Sequence, residues 1–170
     1  MLYFTLMKHG LLVLATAVLF ACGAEYTKEE IQNSSIDPSS PLTFDSTYAA
    51  TLGADDYGMR KYVLVLLRKG PNRDQDSTEA AHLQRAHLDN MQQWADDGLL
   101  VVAGPTYNHS TTLQGIYIFA LNDVEEVEAL TRTDPAVKAG RLVMESYPWY
   151  SSAALVDVNR IHELISKEKI

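Results

Sequence analysis

Tyr62-Val63-Leu64-Val65-Leu66-Leu67 is followed, after a Gly-Pro loop, by Asp76-Ser77-Thr78-Glu79-Ala80-Ala81-His82-Leu83-Gln84-Arg85-Ala86-His87-Leu88-Asp89-Asn90-Met91-Gln92-Gln93-Trp94-Ala95-Asp96-Asp97-Gly98. The first run is short, apolar at odd and even positions alike and rich in β-branched residues. That is the pattern of a strand covered on both faces. The second opens with Asp76 as a helix cap and Glu79 three residues on. From Ser77 to Asp97 its residues separate at about 100° per residue into two sides. Ala80, Leu83, His87, Leu88, Met91, Trp94 and Ala95 fall on one, and His82, Arg85, Asp89, Gln92, Gln93, Asp96 and Asp97 on the other. Gly98 ends the helix, as a residue free to adopt positive φ commonly does.

Downstream, Leu99–Ala103 reads as a second strand ended by Gly104-Pro105, and Gly115–Leu121 as a third. Asn122 or Asp123 caps a second helix over Val124–Arg132. Asp134-Pro135 begins a short further turn, Asp suiting the cap and Pro the first helical position. Arg141–Tyr147 is a fourth strand. The order strand, helix, strand, strand, helix, strand predicts an α+β fold of the ferredoxin-like βαββαβ type, plus a C-terminal helix. Helices cover one face of such a sheet. Strands apolar on both faces need a second cover, and a second copy of the sheet, a homodimer, supplies it economically. The N-terminal segment or the last helix is the alternative cover.

Upstream, Leu11–Ala21 is an apolar stretch too short to span a bilayer, preceded by Lys8. This is the layout of a secretory signal peptide, with Met7-Lys8 offering a second start. It ends Leu19-Phe20-Ala21-Cys22-Gly23, which resembles the lipobox of bacterial lipoproteins, with Phe20 departing from the usual small or branched residue. Cys22 is the expected lipidation site, and the expected location is the cell envelope, anchored to the membrane by lipid. The divisions are 1–22 signal peptide, 23–60 tether and lead-in, 61–155 domain and 156–170 C-terminal helix. Cys22 is the single cysteine of 170 residues, so no intramolecular disulfide forms. The formal net charge of −8, with no basic run, sets nucleic acid aside as a partner.

Gln84-Arg85-Ala86-His87-Leu88, Gly98-Leu99-Leu100, Ala103-Gly104-Pro105, Gly115, Asp134-Pro135 and Pro148-Trp149 fall in the order and spacing of YCII-related (YciI-like) proteins. Over about residues 61–150 the chain resembles that family. The resemblance implies a dimeric α+β barrel with back-to-back sheets, and a pocket between helix and sheet holding a paired His and Asp. His87 and Asp134 are the matching positions. The family's chemistry is mostly unassigned. One member type removes HCl from a chlorinated hydroxyquinone, the His acting on a substrate proton, and related barrels include isomerases and monooxygenases of aromatic compounds.

Taken by itself, His87 is a histidine on the apolar side of a helix, where a buried imidazole bonded to a carbonyl is the plain alternative. As a functional residue it would act as general acid or base, with a carboxylate fixing its tautomer. Asp134 can do that and cap its helix with its two oxygens. Lys69 and Arg73 flank the Gly-Pro loop and are candidates to attract an anionic substrate. His109 lies in the Tyr107–Leu113 loop, a candidate for a pocket mouth. His82 and His87 stand about 140° apart on the helix and cannot share a metal ion. There is no Cys/His cluster, Gly-rich phosphate loop or Gly-x-Ser-x-Gly elbow. No metal and no cofactor are expected. Two functions remain: a cofactor-free lyase, dehydrochlorinase or isomerase working on a small cyclic or aromatic molecule through His87 and Asp134, or a non-catalytic ligand-binding or structural envelope lipoprotein.

Overall fold

The computed structural model describes residues 41–107 and 112–168. The signal peptide, Cys22, the tether as far as residue 40 and His109 lie outside them. The fold falls within the compact unit Phe44–Ile170. Its elements are α1 (Ser46–Thr51), β1 (Met59–Lys69), α2 (Ser77–Asp96), β2 (Leu100–Pro105), β3 (Leu113–Phe119), α3 (Val124–Thr131), α4 (Pro135–Lys138), β4 (Leu142–Ser152), a 3₁₀ turn (Ala153–Asp157) and α5 (Val158–Ile165). The four strands form one sheet in the order β2-β3-β1-β4, every neighbouring pair antiparallel. This is the ferredoxin-like arrangement.

Several elements run differently from the expectation, among them β2, which continues through the Gly104-Pro105 expected to end it. Regular structure begins before Lys61: α1 forms within the lead-in, with the Asp45 side chain accepting from the Tyr48 amide, and β1 starts at Met59. β4 continues past Tyr147 to Ser152 and passes through Pro148. β4 is an edge strand, so the missing proline N–H interrupts no central ladder. The C-terminal helix is a 3₁₀ turn before it is an α-helix.

The helix-facing side of the sheet carries Val63, Val65 and Leu67 from β1 and Tyr117 and Phe119 from β3. They pack with Trp94 of α2 and Val127 of α3. Alternation puts Tyr62, Leu64, Leu66 and Arg68 on the other face, opposite Trp149, Tyr147, Glu145 and Val143 of β4. A second cluster forms there around Tyr62, Val101 and Ile118, covered by Leu155 and Val156 of the 3₁₀ turn. One end of the second face is thus covered by the chain's own C-terminal segment. Farther along, Leu64, Leu66 and Ile116 stay half-buried and Tyr147 and Val143 are exposed.

β2 reaches both clusters by ordinary alternation and also carries a bulge. Leu100 pairs with Phe119 and Val102 with Ile118, so Val101 is an extra residue. Leu100 enters the helix-side cluster while Val101 enters the other. The Leu100 carbonyl accepts a 2.8 Å hydrogen bond from the Asn159 side chain of α5. At the opposite end of the sheet the loop after β1 crosses the start of β4 with no room to spare. A Cβ on Gly70 would lie 2.1 Å from the Gly140 carbonyl oxygen. Gly140 itself sits at φ 69°, and the backbones are joined by Gly70 N–H to Arg141 O and Asn72 N–H to Gly140 O.

Candidate functional site

The helical phase that points His87 inward holds: among α2 residues His87 and Trp94 are buried, and His82 and Arg85 lie on the exposed side. Asp134 comes from the cap of α4. Its Oδ1 accepts from the amides of Ala136 (2.8 Å) and Val137 (3.3 Å), satisfying helix-end N–H groups. Its Oδ2 accepts from His87 Nδ1 at 2.8 Å and from the Asn90 side-chain amide at 3.3 Å. Asn90 is one turn along α2 from His87, so one helix face presents two groups to one carboxylate oxygen. The Asp134 side chain has no exposed surface. Burial by itself would raise its carboxyl. The His87 hydrogen bond and charge, with the Asn90 and Ala136 N–H groups, outweigh that and hold it below its ordinary value.

A third side chain completes the arrangement. The Tyr117 hydroxyl lies 3.0 Å from His87 Nε2. The tyrosine ring lies near-parallel to the imidazole, 21° between planes, and is held edge-on by Trp94 and Phe119. Burial, and next the nearby Asp134 charge, raise the Tyr117 phenol, so it stays protonated well into alkali. A carboxylate only accepts, so Nδ1 carries the proton shared with Asp134. Nε2 then accepts from the phenol when the imidazole is neutral and donates to it when protonated. The result is a buried chain Tyr117–His87–Asp134 with both imidazole nitrogens in use. Relative exposures are 2%, 6% and 0% along it. The arrangement can hold a proton at either of two sites and stabilise an imidazolium by an adjacent carboxylate.

The structure therefore brings together two of the expected site residues and adds Tyr117 and Asn90. Lys69 is exposed at the end of β1. Arg73, also exposed, donates to the Arg141 carbonyl at 3.1 Å. Neither is joined to the His87–Asp134 pair by a hydrogen bond or ion pair among the described residues. Tyr117 had a sequence signal. In Gly115-Ile116-Tyr117-Ile118-Phe119, period-two alternation places Tyr117 on the same face as Phe119, and that face meets α2. Among the described residues no group of three His, Cys, Asp or Glu side chains is placed to hold a metal ion.

Compared with known proteins, residues 62–149 match the model of the YCII-related domain. No curated protein sequence matches the chain. Among solved structures it is similar to 5-chloro-2-hydroxyhydroquinone dehydrochlorinase (TftG) from Burkholderia phenoliruptrix AC1100, determined in complex with 2,5-dihydroxybenzoquinone. The identity is 21% and the TM-score 0.40, over 51% of this chain and 92% of that one.

Proposed function

The chain belongs to the YCII-related domain family, and on that footing we propose that His87, held by Asp134, is the acid–base centre of a cofactor-independent lyase or isomerase acting on a small cyclic or aromatic compound. The observation that carries this reading is the partner of Nε2. A histidine kept only for packing commonly gives its second nitrogen to a main-chain group. Here that nitrogen meets a side-chain hydroxyl, which a bound molecule must displace. Once the hydroxyl is displaced, Nε2 takes a proton from the bound molecule, and the imidazolium is stabilised by the Asp134 carboxylate. In an elimination, the electron pair left behind expels chloride from a neighbouring position, so the net loss is HCl. In an isomerisation, the same proton returns to a different atom and nothing is lost.

One observation favours a second reading, a ligand-binding or structural envelope protein without turnover: the three side chains are almost wholly enclosed and mutually satisfied. The two readings separate in one experiment. The purified chain and its His87→Gln variant are offered chlorinated and unchlorinated hydroxyquinols and keto–enol pairs. Chloride release or isomer formation is followed beside calorimetric binding. Conversion that disappears in His87→Gln supports the acid–base reading. Binding that depends on His87 without conversion supports the second, and identical behaviour of both proteins toward every compound removes the site from either.

Export and anchoring belong to the same proposal. Cys22→Ser is expected to release the protein from the membrane fraction or leave it unprocessed, and wild-type fractionation of that variant would discard the anchor.

A further inference from the structure

Away from the histidine, the lead-in and the start of β1 build a cleft of about 430 Å³ against the end of β3 and Tyr150. At its base the Arg60 guanidinium is fixed by neutral groups only. Its two terminal nitrogens donate to the carbonyls of Leu52 and Ala120, each at 3.1 Å, and it lies 5.3 Å over the Tyr62 ring. No acidic side chain pairs with it among the described residues. Two of its five N–H donors are used, and the other three have no protein partner among the described residues. Lys61 and Asn122 are exposed, and among the described residues their side chains make no hydrogen bond or ion pair.

One carboxylate lies in the cleft. The Oδ1 atom of Asp55 accepts from the amides of Tyr57 and Met59, and its Oδ2 from the Tyr150 hydroxyl, so its acceptor capacity is largely taken up. Two cations against one committed carboxylate leave the cleft with one net positive charge, in a chain whose net charge is −8. A smaller hollow of about 200 Å³ adjoins it. The two share Lys61, Asn122 and Tyr150, and the second is walled by Trp149 and Pro148. The linings of the two adjoining hollows thus combine a fixed cationic donor in Arg60, a free one in Lys61 and a flat aromatic surface in Trp149.

We propose that this groove binds a small organic carboxylate, its oxygens on Arg60, Lys61 and the Asn122 amide and its hydrocarbon body against Met59, Leu121 and Trp149. A guanidinium already immobilised by carbonyls loses little further freedom on binding, and its planar fork suits a carboxylate. Free inorganic phosphate would meet the same donors but leave the aromatic wall unused. Gly53, Asp55, Met59, Arg60, Lys61 and Tyr150 lie outside the stretch that matches the family model, whereas Leu121, Asn122 and Trp149 lie within it. Neither hollow is lined by Tyr117, His87 or Asp134, so the site does not rest on any reaction at His87.

The test titrates the full-length protein with benzoate, benzamide and inorganic phosphate at low and high salt, by calorimetry and by amide chemical shifts. Benzoate is expected to saturate, with shifts confined to 53–61, 120–122 and 149–150 and affinity falling as salt rises. Benzamide, the neutral isostere, is expected to stay unbound, and phosphate to bind more weakly than benzoate. Lys61→Gln, at an exposed position that leaves the fold intact, is expected to weaken benzoate by about fivefold. No saturation by benzoate, equal binding of benzamide or of phosphate, or an affinity indifferent to Lys61→Gln overturns the assignment.

Discussion

Asp134→Asn asks the sharpest question of the buried site, because the substitution keeps the shape and removes one oxygen's role. Oδ1 remains an acceptor for the Ala136 and Val137 amides, so the cap of α4 survives. The change falls on the other oxygen, where His87 Nδ1 at 2.8 Å and the Asn90 amide at 3.3 Å converge. An NH₂ there faces two donors. His87 can adapt by shifting its proton to Nε2 and donating to Tyr117, and Asn90 by flipping its amide so that its oxygen accepts. Losing a buried charge-assisted bond costs about 1.5–3 kcal/mol, so destabilisation near neutral pH should be of that size. The pH dependence carries the stronger evidence. The folded state holds the Asp134 carboxyl below its ordinary 3.8. A depressed value adds stability that is fully present above the unfolded value and is lost as the pH falls through the folded one. Urea unfolding of wild type and variant at neutral pH and at about pH 3 reads this directly. The gap between the two proteins should narrow in acid. A gap that stays constant, or one below about 0.5 kcal/mol at neutral pH, would mean that the carboxylate is not held as described.

Three further outcomes follow from the same geometry. Tyr117→Phe should cost about 1–2 kcal/mol by leaving His87 Nε2 unpaired. In the wild type the raised phenol contributes stability that is complete below about pH 10 and drains as the pH climbs toward the folded value. The variant should therefore lose less stability than wild type on going into alkali; matching alkaline limbs would refute this. Gly70→Ala places a methyl 2.1 Å from the Gly140 oxygen, so urea unfolding should show a loss of about 2 kcal/mol or more, and an unchanged midpoint would contradict the close crossing. Finally, if a second copy covers the half-buried Leu64, Leu66 and Ile116, the protein should sediment as a dimer at micromolar concentration and Leu66→Lys should yield monomer. A wild-type monomer removes the second copy.

How much of this the residues announced depended on whether the signal was local. The α2 face was legible because its twenty residues carry a strong period and its cap is set by Asp76 alone, whose carboxylate accepts from the amides of Thr78 and Glu79. Asp134 was legible for the same reason, as an Asp preceding Pro at a helix start. Tyr117 was not singled out because its strand is apolar throughout. In such a run the one polar tip does not show which face matters until the partner helix is in place. The cover of the second face was the least legible feature. A sheet apolar on both sides demands a partner, but nothing in its own residues distinguishes a second copy from the Leu155–Val156 turn that occupies one end.

The burial of β2 on both of its faces has a mechanical consequence. An edge strand is ordinarily the part of a sheet most free to breathe, since it is held from one side and buries one row of side chains. β2 instead works as a rivet: consecutive residues Leu100 and Val101 pass into opposite layers, and Asn159 fastens the strand to the C-terminal helix. Peeling it away would open both layers at once and detach α5 with them. The β2 amides bonded to β3 should accordingly exchange on the timescale of whole-domain unfolding rather than by local fraying.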